Sequence, residues 1–107
     1  MAKLINDSIP NHRAVARGFL ASIREHADRA GTPGWVSVPE LVRRVSEDAS
    51  RKAKDWPTRQ GRHLFLVELS SEANSEWMVQ PGPDGLRAQF YAALRDHLRE
   101  MAEAERA

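Results

Sequence analysis

The residues best able to do chemistry in this chain lie between positions 43 and 63. Arg43, Arg44, Arg51, Lys52, Lys54, Arg59 and Arg62 crowd that stretch against only Glu47, Asp48 and Asp55. Thr58, Gln60 and His63 add hydrogen-bonding groups, and Trp56 adds a large ring with one donor. Arg and Gln can read guanine and adenine edges through paired hydrogen bonds, while Lys and Arg hold phosphates without reading sequence. The same set can equally serve a protein partner, since Trp and Arg carry much of the energy of protein interfaces. From His63 to Gly85 the sign reverses: there is no Lys or Arg, only Glu68, Glu72, Glu76 and Asp84. Charge is therefore segregated along the sequence although the net charge is only +1.

Other chemistries find no support in the residue pattern. The chain has no cysteine, which excludes disulfides, thiol nucleophiles and Cys-based zinc sites, and fits a reducing, cytoplasmic setting. His12, His26, His63 and His97 stand apart from one another, with no second ligand at metal-binding spacing, so no metal is expected. No serine sits in a nucleophile turn, and Gly82 and Gly85 belong to a proline-rich turn rather than a phosphate loop, so no cofactor and no enzymatic activity are expected. The first residues lack the apolar core of a signal peptide. No apolar run reaches the roughly 18 residues of a membrane span.

A chain of 107 residues has room for one domain with one modest core. Residues 1–10 read as a flexible arm, and residues 11–107 as the domain. A first helix is expected over 11–30, capped by Asn11, with Ala16, Phe19, Leu20, Ile23 and Ala27 on one face and Gly31 as its stop. Trp35–Val38 is a short β-prone piece. A second helix is expected over 39–52, with Ser37 and Glu40 at capping-box spacing and Pro39 in the first turn. Residues 58–74 are compatible with a helix, but the run from His63 to Leu69 is also compatible with a buried strand. Residues 76–80 form a strand candidate before the turn signal at 81–85. Leu86, Phe90, Leu94, Leu98 and Met101 then mark one face of a long helix over 86–103.

The element order, with Trp35-Val36-Ser37-Val38-Pro39-Glu40-Leu41-Val42 leading from strand to helix, resembles the winged helix-turn-helix superfamily over residues 15–91. The resemblance implies a mainly α fold with a small β-hairpin or wing, built from residues 76–80 and 86–90. It also implies a recognition helix at 58–70 laid into the major groove. The wing requires a strand at 86–90, where the four-residue spacing requires a helix.

Two functions follow as expectations. One is a small nucleic-acid-binding regulator. The other is a protein-interaction module, an adaptor or inhibitor of the kind found in phages and other mobile elements, acting without catalysis. The binding residues expected in either case are Arg43, Arg44, Arg51, Lys52, Lys54, Trp56, Thr58, Arg59, Gln60, Arg62 and His63. Trp35 and Trp77 are expected to plug the core. The last helix is also a candidate homodimer face through Phe90, Tyr91, Leu94, Leu98 and Met101. Its mixed-sign polar side argues against a membrane partner.

Overall fold

The computed structural model describes residues 9–106, with side chains from residue 12 onward. Most of the N-terminal arm expected over residues 1–10 lies outside the described residues. Four α-helices are described: α1 (Ile9–Ala27), α2 (Val38–Ala53), α3 (Arg59–Met78) and α4 (Leu86–Arg106). They pack into an elongated bundle with extents of 48 × 24 × 23 Å.

This overturns the α+β winged-helix expectation, because no strand forms among the described residues. Both wing segments are taken by helices. Residues 76–78 complete α3, and residues 86–90 open α4, so 79–85 is an interhelical loop rather than the tip of a hairpin. The reason is packing. Phe90, Tyr91, Leu94 and Leu98 are all buried, a pattern only a helix starting near Leu86 can satisfy. The β-prone Trp35–Val36 is loop, and Trp35 uses its indole N–H to cap the end of α1 through the His26 carbonyl at 2.8 Å.

The helix ends follow local chemistry. Ser37 is extended and its hydroxyl accepts from Glu40 N at 3.2 Å, with proline in the first turn of α2. Thr58 does the same for α3 by accepting from Gly61 N at 2.9 Å. Asn11, expected as a cap, lies inside α1 instead. α1 ends at Ala27, short of the expected 30, and Gly31 follows after a turn at φ +85°, a conformation that glycine adopts without strain.

α3 is the central helix, and this explains why its sequence was ambiguous. Phe65 meets Phe19 of α1 edge-to-face, with centroids 6.2 Å apart, while the Ser70 hydroxyl donates to the Arg95 carbonyl of α4 at 3.0 Å. A helix covered on two sides carries apolar residues around much of its circumference, which blurs the 3.6-residue period. Along the α1 side, Arg13–Glu68 (3.4 Å), Arg17–Glu72 (3.6 Å) and Arg24–Glu76 (2.5 Å) form a ladder. The acidic stretch of the sequence is thus the partner of α1. The order of these pairs runs α1 parallel to α3, and Arg62–Glu105 (3.1 Å) with the Ser70–Arg95 bond runs α4 antiparallel to both.

Candidate protein-binding face

The basic stretch meets its counter-charges inside the chain. Arg43 lies 2.7 Å from Glu40 and 2.8 Å from Glu47, and Arg44 lies 2.9 Å from Glu40. Arg51 pairs with Asp48, and Lys52 lies 2.9 Å from Asp55. These are one-turn contacts on α2 and in the turn after it, the arrangement that exposed charged helices adopt on their own. Two arginines on one carboxylate hold Glu40 down at about 2, chiefly through the hydrogen bonds from Arg43 and Arg44. Arg62 bonds Glu105 and the Trp56 carbonyl, both at 3.1 Å, and His63 Nδ1 lies 2.7 Å from the Ala102 carbonyl. Lys54, Arg59 and Gln60 are exposed at the α2–α3 junction.

Trp56 is not a surface residue. It is 3% exposed, stacked between His12 (4.9 Å) and Phe65 (4.8 Å), and its indole N–H has no acceptor among the described residues. Trp35 and Trp77 are half-buried against the core. The proposed dimer face is likewise occupied: Phe90, Tyr91, Leu94 and Leu98 are buried within one chain, and Met101 is half-buried against the same core. In that setting burial pushes the Tyr91 phenol up to about 12, helped by Glu76 and Asp28. α3, expected to project as a recognition helix, is enclosed by α1 and α4.

The surface that stands out is the outer side of the α3–α4 hairpin. A groove of about 400 Å³ runs there. α3 lines it with His63, Val67, Ser70, Ser71 and Asn74, a stripe at helical spacing that continues to Met78. α4 lines it with Arg99, Ala102, Glu103 and Arg106. Val67 is 39% exposed on this stripe, and Met78 is 68% exposed one helical repeat beyond. Val79, at 74%, and Leu86, at 41%, continue the exposed apolar surface around the end of the bundle. These four are the large apolar residues exposed among the described residues, and two of them share one face of α3. Arg95 of α4 lies beside Asn74, the last α3 residue lining the groove. Its guanidinium lies 5.0 Å over the Trp77 ring and bonds Asn74 Oδ1 at 3.1 Å and Asp96 Oδ1 at 2.8 Å.

Sequence reasoning missed this face because its residues are individually ordinary. The available signal was the recurrence of Val67, Ser71, Asn74 and Met78 opposite the glutamates at 68, 72 and 76. Among the described residues, no group of three or more His, Cys, Asp or Glu side chains could hold a metal ion. None of the described helices is long and apolar enough to cross a membrane. Compared with family models, curated proteins and solved structures, the chain matches none.

Proposed function

We propose that this chain is a non-catalytic protein-interaction module, a small cytoplasmic adaptor or inhibitor, that docks on a larger partner through the outer face of the α3–α4 hairpin. The observation that carries the reading is the pairing of Val67 and Met78. Both are exposed on one stripe of α3, whereas the other large apolar residues exposed among the described residues, Val79 and Leu86, lie around the end of the bundle. Exposed apolar residues grouped on one face and rimmed by polar groups are the usual mark of a protein contact. The nucleic-acid reading draws less support, because Arg43, Arg44 and Arg51 already have carboxylate partners on α2, Lys52 pairs with Asp55 and Arg62 with Glu105. Phosphates would have to displace them.

A photo-crosslinking amino acid introduced in the host at Val67, at Met78 and, as a control, at Glu47 tests the proposal. Adducts to a protein from positions 67 and 78, with none from 47, are expected. Adducts to nucleic acid, adducts from 47 alone, or none from 67 and 78 would overturn it. Titration of labelled duplex DNA at about 50 mM salt, where phosphate contacts are strongest, should show no binding.

A further inference from the structure

We infer that the α3–α4 groove takes an acidic amphipathic helix from the partner protein; this rests on the docking reading above and adds the chemistry of what docks. Shape is the first argument. The groove follows two antiparallel helices over about 16 Å, the rise of some three turns. Its floor is low, formed by the small buried side chains of Ser70 and Ala102 beside Val67. A floor of that kind lets a third helix approach closely and lay one apolar stripe along it.

Charge supplies the second argument, and it is independent of shape. The α3 glutamates at 68, 72 and 76 face the arginines of α1, so α3 contributes no carboxylate to the groove. On the α4 side Arg99 makes no ion pair with a carboxylate among the described residues, and Arg106 reaches only Glu103, at 3.8 Å. His63 points one ring nitrogen at the Ala102 carbonyl and lines the groove with the rest of its ring. Among its lining residues the groove carries Arg99 and Arg106 against Glu103, with Asp96 one turn before Arg99, and glutamates flanking an apolar stripe would complement it. A second copy of this chain fits less well, because a two-fold contact through the groove brings two copies of the same arginine-bearing face together. Nucleic acid also fits less well, because exposed Val67 and Met78 offer it nothing and few cations remain for phosphates.

The test uses the full chain and defined probes. One is a fluorescein-labelled, stapled helical peptide of about four turns, long enough to be held helical, with leucines on one face and glutamates flanking them. The second replaces every glutamate with lysine. The third is a labelled DNA duplex. The glutamate peptide should bind measurably, at least about tenfold more tightly than the lysine peptide. The double variant Arg99→Glu/Arg106→Glu should lose about tenfold for the glutamate peptide and gain for the lysine one. Arg43→Glu, on α2, should leave both unchanged. Amide shifts on binding should cluster at residues 63–78 and 95–106. Arg99 and Arg106 are exposed, and an unchanged helical melt of the double variant confirms that the loss is one of binding.

The inference is overturned if the lysine peptide or the duplex binds as well as the glutamate peptide, if the double variant binds it unchanged, or if the glutamate peptide does not bind. When position 67 still crosslinks to a protein in that last case, the docking reading stands and only the acidic-helix chemistry falls. Absence of crosslinks at 67 and 78 removes the docking reading itself.

Discussion

Helix α2 and the outer face of the α3–α4 hairpin present their charges in opposite ways. On α2 nearly every cation has an anion one turn away, so a dense run of arginines produces a locally neutral, solvated surface. On the hairpin there are fewer charges, but Arg99 has no ion-paired carboxylate among the described residues, and exposed Val67 and Met78 lie on the neighbouring helix. Density of charge in sequence is therefore a poor guide to availability of charge in space. The lesson extends to α1 and α3, whose basic and acidic runs face each other as an interhelical ladder.

The sharpest way to break this comparison is Trp56, which the basic stretch contains. Trp56→Ala removes a ring stacked on both His12 and Phe65 and should destabilise the fold by about 3–5 kcal/mol, as core tryptophan truncations do. Chemical denaturation measures this. An unfolding midpoint equal to that of the parent chain would mean the ring belongs to the surface after all.

Arg95 comes next. Arg95→Ala removes the contact with Trp77 and the bond to Asn74, and should cost about 1–2 kcal/mol. Arg95→Lys should recover only part, because one ammonium cannot keep both the ring and the amide. Urea melts of the two variants decide whether Arg95 ties α3 to α4 or merely borders the groove.

A smaller effect of opposite sign is expected at Gly18. It lies inside α1 on the exposed side, and an added Cβ would meet nothing within 4 Å. Gly18→Ala should stabilise by roughly 0.5–1 kcal/mol through helix propensity and the unfolded chain. Thermal unfolding reads the gain, and crosslinking from position 67 should not change.

Glu40 offers the finest test. Its carboxyl is held down from an ordinary 4.5 to about 2 by the bonds from Arg43 and Arg44. Because the folded value is the lower one, any stability it brings is present above 4.5 and fades as the pH falls toward 2. Carboxyl-detected NMR should place its midpoint near 2, and strong salt should raise it, since its arginine partners are solvent-exposed. A midpoint near 4.5 at low salt would mean that α2 does not compensate its own charges.

Much of the fold was legible. Of the α1 stripe Ala16, Leu20, Ile23 and Ala27 are buried and Phe19 half-buried; of the α4 stripe Phe90, Leu94 and Leu98 are buried, Met101 is half-buried and Leu86 is exposed. The Ser37 cap could be read directly, because capping is decided within four residues. The wing was only half legible as an error: the four-residue spacing at 86–90 already required a helix, but residues 76–80 have strand-like composition, and it is packing that makes 76–78 the end of α3, with Trp77 against Arg95. The candidate face was almost invisible. Val67 lies in an apolar run whose neighbours Phe65, Leu66 and Leu69 are core, and nothing local distinguishes the one that stays outside.

The sequence by itself determined the helical faces of α1 and α4, the cap of α2 and the lack of thiol chemistry. Each of these depends on composition or on interactions within one or two turns. Only the tertiary structure decided that α3 is central, that Trp56 is core, that the acidic run meets the arginines of α1 rather than the basic run, and that Val67 and Met78 face outward. Those outcomes depend on which helix lies beside which, and residues such as Arg13 and Glu68 meet only after the whole chain has packed.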